Sequence, residues 1–139
     1  MKEKSKKIVI GVIGTDCHAE GNKLIESMLK KGNFTVINLG VLTPQIDFVH
    51  AALESDADAI IISSIHGKAE IDYIGTREKC DQYGMKNILL YAGGNLTSKI
   101  EEWDETKIRF EKMGFNRVYK PGTPFEVTLK DLKEDLKLI

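Results

Sequence analysis

Short apolar runs alternate with longer amphipathic segments along the whole chain. The runs predict five strands, at 8–13, 34–39, 59–62, 88–91 and 117–119. Each segment between two runs predicts a helix, and one more helix follows the last run. The runs are continuously apolar and do not alternate with polar residues. This pattern is typical of parallel strands that are covered by helices on both faces.

Five strands that alternate with five helices predict an α/β fold, a doubly wound parallel sheet of the flavodoxin or Rossmann-like kind. Crossovers between parallel strands are right-handed, which limits the possible topologies. At this chain length we expect the strand order 2-1-3-4-5 and a single domain over residues 1–139.

Turn and capping residues suggest where several helices begin and end. Gly32 is expected to end the first helix as its left-handed cap residue. Thr43 and Pro44 fit the N-cap and first helical position of the second helix. The run Thr123–Glu126 fits a capping box at the start of the last helix.

Composition and charge exclude several classes of protein. The chain has 20 basic and 21 acidic residues and a formal net charge of −1. This balance gives no general attraction to nucleic acid or to anionic membranes, and the first apolar run is too short to span a bilayer. The two cysteines, Cys17 and Cys80, form no CxxC pair. We therefore expect no disulfide framework and a cytoplasmic location.

The loops that follow strands 1, 3 and 4 are the expected place for a ligand. In open parallel sheets, ligands bind outside the carboxyl ends of the strands, next to the point where the strand order reverses. These loops hold several glycines and two of the three histidines. They occupy residues 14–22, 63–67 and 93–95.

Three common uses of this fold do not match these loops. The dinucleotide-binding spacing GxGxxG is absent after strand 1, where Asp16 and Glu20 would also repel a pyrophosphate. The same carboxylates argue against a flavodoxin-type phosphate loop. A phospho-accepting receiver domain needs an aspartate after strand 3, and this chain has Ser63 and Ser64 there.

Asp16 and His18 form a pair with its own chemistry. A histidine that binds a metal usually donates its second ring N–H to a carboxylate, which fixes its tautomer. The alternative is an ordinary loop histidine beside an N-cap aspartate. Gly21 fits either a loop residue before a late helix start or a close approach of ligand to backbone. Gly93 and Gly94 fit either a simple turn or such an approach, and the turn is the commoner case for an isolated pair of glycines.

The three loops together resemble the B12-binding domain family, whose signature is D-x-H-x-x-G, then S-x-L, then G-G. Here the first motif is Asp16–Gly21, the second is Ser63–Ile65 with isoleucine in place of leucine, and the third is Gly93–Gly94. Over nearly its whole length the chain resembles the small, cobalamin-binding subunits of glutamate mutase. The similar stretches include GVIGTDCHAEGN, INLGVLTPQ, REKCD, YAGGN and RFEKMGFNRVYKPGTP.

This resemblance implies a role for each matched residue. His18 would be the axial ligand of the cobalt, and Asp16 would hold its other ring nitrogen. Ser63 would bond the buried base of the cofactor's nucleotide tail in a slot beside the first helix. The remaining residues implied to contact the corrin ring or the tail are Thr15, Cys17, Ala19, Gly21, Ser64, Ile65, Gly93, Gly94, Asn95 and Leu96.

The resemblance also implies an activity and a partner. Adenosylcobalamin would support a radical isomerisation of L-glutamate to (2S,3S)-3-methylaspartate, with substrate bound by a separate large barrel subunit of the epsilon type in a heterotetramer. No nucleophile–base set is evident in this chain, so no activity is expected from it alone. Two alternatives remain: a corrinoid carrier of methyl groups, and a hydrolase with a small metal site at His18 and His66.

Overall fold

All five described strands lie in one parallel sheet, in the order β2-β1-β3-β4-β5. The computed structural model describes residues 5–14, 20–64, 70–97 and 99–139. The doubly wound fold and its strand order, both predicted from the sequence, are confirmed. Because the order reverses between β1 and β3, the carboxyl ends of these two strands mark the switch point of the sheet.

The strands are short and the helices between them are of ordinary length. The strands are β1 Lys7–Val12, β2 Thr35–Asn38, β3 Ala59–Ser64, β4 Leu89–Gly94 and β5 Arg117–Val118. The helices are α1 Glu20–Lys31, α2 Gln45–Ser55, α3 Glu70–Tyr73, α4 Thr76–Gln82, α5 Trp103–Lys112 and α6 Phe125–Asp135, with a 3₁₀ turn at Ile100–Glu102.

Helices cover both faces of the sheet, as the continuous apolar runs predict. On one face, α2, α4 and α5 bury a core that includes Phe48, Cys80 and Phe110. On the other face, α1 and α6 pack Leu29 and Leu132 against the strands. Among the described residues, two helices cover this second face, and a cavity lies between them near the strand ends.

Three of the predicted helix ends are wrong in detail. Neither threonine caps a helix: Thr43 donates its hydroxyl to Gly40 O and Thr123 donates to Lys120 O. Each of these helices begins one residue later than predicted, after an extended proline with no side-chain cap. After α1 the left-handed residue is Asn33, at φ 70°, and not Gly32. Asparagine tolerates this conformation better than most residues do.

The predicted third helix is split into α3 and α4. Gly75 interrupts it at φ 91°, a left-handed value that no helix interior accepts. Gln45, at the start of α2, holds the break in place by donating its amide to the carbonyls of Asp72 and Ile74. The segment before α4 is thereby fixed to α2 and to the strand ends.

A polar network anchors α6 to the edge of the sheet. Arg117 donates two hydrogen bonds to Asp135, of 3.0 and 2.8 Å, and lies 3.4 Å from Asp131. Tyr91 donates to Asp135, and Tyr119 donates to Asp131 at 2.7 Å. Burial, together with these bonds to carboxylates, raises the pKa of both tyrosines well above the ordinary value. The network fixes the helix that forms one wall of the cavity described below.

This network predicts a pH-dependent contribution to stability. The hydrogen bonds from Arg117 hold the pKa of Asp135 below its ordinary value. The contribution is therefore complete above about pH 4, the ordinary pKa of aspartate, and is lost as the pH falls through the lower folded-state pKa. Asp135→Asn should lower the free energy of unfolding by about 1 kcal/mol at pH 7. In urea unfolding series, the difference from the wild type should vanish in strong acid.

The matched control is Glu26→Gln, which breaks a more exposed pair of 3.5 Å between Glu26 and Lys30 on α1. Such pairs contribute little, so this variant should behave like the wild type at every pH. A difference for Asp135→Asn that stays constant from pH 7 to strong acid would contradict the electrostatic explanation.

Within the described ranges, no helix is both long enough and apolar enough to cross a membrane.

Candidate functional site

The floor of a large cavity lies at the carboxyl end of the sheet, on the face covered by α1 and α6. Residues paired across parallel strands point to the same face. One such row places Ile10, Ile61 and Tyr91 side by side, and the core of this face buries all three. Two residues further along, the row is Val12, Ser63 and Gly93. The side chains become smaller, so the sheet surface drops away and a slot opens.

The walls of this slot come from the two helices that flank it. Residues 20–25 of α1 line one side. The segment 119–125, with Thr128 of α6, lines the other. The cavity has a volume of about 950 Å³, large for a small-molecule site. Its lining combines apolar side chains such as Ile25 and Phe125 with polar ones such as Asn22 and Thr128, which suits a large amphipathic ligand.

Gly93 and Gly94 play different parts at the end of β4. Gly94 has φ 90°, and a Cβ on it would overlap the carbonyl oxygen of Ser64. This position therefore requires glycine for the fold itself. Gly93 has no such constraint, and a Cβ there would lie 3.7 Å from Cβ of Tyr119. Its missing side chain keeps the slot floor low, and a close approach of ligand to backbone at this glycine stays a prediction.

The two serines after β3 are held by the strands. Ser63 donates its hydroxyl to Gly11 O at 3.2 Å, which leaves the lone pairs of its oxygen able to accept a bond. Ser64 is 1% exposed, and its carbonyl accepts the amide of Asn95 at 2.5 Å. Ser63 faces the slot from the middle of its floor and is the more accessible of the two.

Asn22 is a polar residue of the slot that sequence analysis did not single out. It is 4% exposed and lines the cavity from α1. Its amide oxygen is buried and has no hydrogen-bond partner among the described residues. An amide oxygen left in this state costs about 1–3 kcal/mol, so a donor from a ligand would be favourable here. A polar atom without a partner, beside a deep slot, is consistent with a site that is completed by its ligand.

The loop that carries the predicted cobalt ligand leaves the sheet at Gly14. Gly14 has φ 72° and donates its amide to Thr43 O at 2.8 Å. A Cβ on Gly14 would overlap the carboxylate of Asp72, which lies on α3. Asp72 therefore packs against Gly14, and Gln45 holds Asp72 by donating to its carbonyl. Sequence analysis assigned no role to either residue, although Gln45 lies in the stretch INLGVLTPQ that carries the resemblance.

The structure brings together most of the predicted site residues that it describes. Those that line the cavity are Gly21, Ser63, Ser64, Gly93, Gly94 and Asn95. Leu96 is 4% exposed and packs in the core of the other face instead. Outside the described residues lie Thr15, Asp16, Cys17, His18, Ala19 and Ile65.

No group of three or more potential metal-ligating side chains occurs in the part of the chain that the structure describes. The small metal site considered from the sequence would involve His18 and His66, which lie outside that part. The third histidine, His50, lies exposed on α2 beside the Tyr83 hydroxyl, away from the slot.

Sequence comparisons agree with this architecture. A family model described as "B12 binding domain" matches residues 6–113. The chain is 59% identical over 133 residues to the glutamate mutase sigma subunit of Fusobacterium nucleatum, covering 96% of this chain and 98% of that protein. It is 50% identical over 135 residues to the glutamate mutase sigma subunit of Clostridium cochlearium, covering 97% and 98%.

Solved structures share the fold at low sequence identity. A cobalamin-binding protein from Desulfitobacterium hafniense superimposes with a TM-score of 0.77 at 18% identity, over 95% of this chain and 59% of that one. The monomethylamine corrinoid protein of Methanosarcina barkeri gives a TM-score of 0.61 at 16% identity, over 96% and 58%. At these identities the likeness concerns the fold alone.

A doubly wound parallel sheet with a deep slot at its switch point defines a ligand-binding α/β domain. The matched family model covers most of the chain, and the relatives match it almost from end to end. The chain belongs to the B12-binding domain family, and within it to the family of glutamate mutase sigma subunits.

Proposed function

We propose that this chain is the cobalamin-binding subunit of an adenosylcobalamin-dependent glutamate mutase. The observation that carries the proposal is the slot itself, whose floor is the row Val12, Ser63 and Gly93 at the switch point. The D-x-H-x-x-G motif follows directly after this floor in the sequence. The chain is 59% identical to a sigma subunit over nearly its whole length, which supports a mutase subunit over a methyl carrier.

The chain's own residues would bind and orient the cofactor. His18 would supply the axial nitrogen to cobalt, and Asp16 would accept the second ring N–H and fix the tautomer. Ser63, with an oxygen able to accept, would hydrogen-bond the tail. Gly93 would let the tail lie against the sheet. Thr15, Cys17, Ala19 and Ile65 stay proposed contacts of the cofactor.

When bound, adenosylcobalamin supplies radicals by homolysis of its cobalt–carbon bond, and these support the rearrangement of L-glutamate to (2S,3S)-3-methylaspartate. The sigma-type relatives support a partner subunit, which we infer to be a large barrel of the epsilon type, joined in a heterotetramer. We propose one domain over residues 1–139 and a cytoplasmic location, in keeping with the free thiol of Cys80. Burial raises the pKa of this thiol to about 11, which makes it unreactive.

The proposal is tested by binding and by turnover. The purified chain, mixed with cobalamin and passed through a gel-filtration column, should carry the visible corrin absorbance with it. Glutamate should turn over only when a large mutase subunit and adenosylcobalamin are both added. Elution without corrin absorbance, or turnover of glutamate by the isolated chain, would contradict the proposal.

Gly93→Val provides the matched test of the slot. Its backbone is not left-handed, so the variant should fold, as judged by far-ultraviolet circular dichroism. The added side chain would fill the slot floor and should weaken cobalamin binding by about 100-fold or more, equivalent to about 3 kcal/mol. The cobalamin affinity of Gly93→Ala should lie between those of the wild type and Gly93→Val. Full affinity in Gly93→Val would place the tail somewhere other than this slot.

A further inference from the structure

The hydrogen bonds around the buried amide of Asn22 determine its orientation. Nδ2 of Asn22 donates to Oδ1 of Asn38 at 2.6 Å. The same Asn38 oxygen accepts the backbone amide of Gly40 at 2.8 Å. A backbone amide can only donate, so Asn38 must present its oxygen, and Asn22 must therefore present its nitrogen to Asn38. This fixes the Asn22 oxygen on the remaining side.

The Asn22 oxygen so fixed is buried and has no donor among the described residues. Asn22 is among the residues that line the cavity. An oriented acceptor without a donor in the described part of the chain therefore lies in the wall of the slot. Buried amide oxygens in folded proteins are almost always paired with protein, water or ligand.

We propose that Asn22 is a specificity-determining residue of the cofactor site, and that its Oδ1 accepts a hydrogen bond from the nucleotide tail. The donor is a neutral O–H of the part that cobinamide lacks, such as a ribose hydroxyl. This inference rests on the proposed function, because it requires cobalamin in the slot. Asn38 and Gly40 act as positioning groups, since they hold the Asn22 amide in the orientation that accepts.

The chemistry at this position explains why asparagine occupies it. With an aspartate here, a carboxylate oxygen would face the Asn38 oxygen, two acceptors with no hydrogen between them, and a charge would be buried. A leucine would fill a similar volume but would give up both hydrogen bonds. An amide can donate to Asn38 through its nitrogen and at the same time accept from a ligand through its oxygen on the other side.

The test compares cobalamin affinity in two variants. Asn22→Ala and Asn38→Ala both remove the bond between the two side chains, but only Asn22→Ala removes the oxygen that faces the ligand. We expect Asn22→Ala to weaken cobalamin binding about 10-fold, the loss typical of one hydrogen bond. Asn38→Ala also leaves the Gly40 amide without its acceptor, so it disturbs the fold at least as much. Because it keeps the Asn22 oxygen but no longer orients it, we expect a smaller loss of cobalamin affinity, of about 3-fold.

A second measurement uses the wild-type protein and distinguishes contact with the nucleotide tail from contact with the corrin ring. In ¹⁵N-labelled wild-type protein, the side-chain amide signals of Asn22 should shift on addition of cobalamin. Cobinamide, which lacks the nucleotide tail, should leave them unchanged. If Asn22→Ala does not fold, Asn22→Ser replaces it, with the same expected loss of cobalamin affinity. The spectra of the wild-type protein test the inference without any variant.

Several results would overturn the inference. These are equal losses in Asn22→Ala and Asn38→Ala, full affinity in Asn22→Ala, or the same spectral shift with cobinamide as with cobalamin. In each of these cases wild-type binding of cobalamin is intact, so the proposed function stands. If the wild type binds no cobalamin, the proposed function fails, and this inference fails with it.

Discussion

Gly94→Ala should destabilise the protein by about 3 kcal/mol and should abolish cofactor binding at temperatures where the wild type is fully folded. Gly94 adopts φ 90°, which costs an alanine roughly 1–2 kcal/mol. The new Cβ would also overlap the Ser64 carbonyl oxygen and lie 3.0 Å from the Ser64 carbonyl carbon. Both residues are paired across β3 and β4, so neither backbone can move without loss of sheet register. Urea unfolding followed by circular dichroism measures the change.

Gly84→Ala is the control that separates backbone strain from overlap. Gly84 has φ 82°, but a Cβ there would meet no heavy atom within 4 Å. It lies after α4, outside the cavity lining, and should cost only about 1 kcal/mol. Equal losses in the two variants would show that the strands relax around the new methyl group. The prediction that the backbones of Gly94 and Ser64 are too rigid to accommodate a Cβ would then be wrong.

The fold was predictable from the sequence because the sheet is covered on both faces. The central strands bury nearly all of their apolar side chains, so β3 contains a continuous apolar run, Ala59–Ile62, that polar residues set apart on both sides. Crossover handedness and chain length then leave few strand orders. The position of the site followed from the switch point, a property of topology and not of any single motif.

The slot itself was less predictable, because it depends on which residues share a face. The decrease in size from Ile61 and Tyr91 to Ser63 and Gly93 becomes visible only once the register between β3 and β4 is known. The wall formed by Tyr119 depends on its hydrogen bond to Asp131 on α6, a contact between distant elements. The sequence did not indicate Asn22, because its proposed role depends on the orientation that Asn38 imposes in the folded chain.

Helix starts were predicted one residue early for a local reason. Thr43 and Thr123 each precede a proline, and the threonine–proline pair fits an N-cap followed by the first helical residue. In the structure each proline instead stays extended, at ψ 149° and 141°. The threonine hydroxyls turn back to carbonyls of the preceding loops, so they stabilise the loops that lead into α2 and α6.

His18→Gly should abolish ligation of cobalt by the protein and should reduce mutase activity severely. Cobalt needs an unprotonated nitrogen, and the loop after β1 offers this imidazole within the D-x-H-x-x-G motif. Asp16→Asn should keep ligation but weaken it by about 10–100-fold, as is typical when the group that orients a metal-bound histidine is lost. Because Asp16 acts through His18, the double variant should be no worse than His18→Gly alone.

Electron paramagnetic resonance identifies the ligand directly. In the cob(II)alamin form, nitrogen from the axial base splits the cobalt signal, and ¹⁵N-labelling of the protein should change this splitting if a protein imidazole is bound. The change should appear in the wild type and in Asp16→Asn, and should be absent in His18→Gly. A splitting that does not respond to labelling in the wild type would mean that the cofactor keeps its own base. A response that persists in His18→Gly would assign the cobalt to another residue, with His66 the first to replace, since it follows Ser64 at the neighbouring strand end.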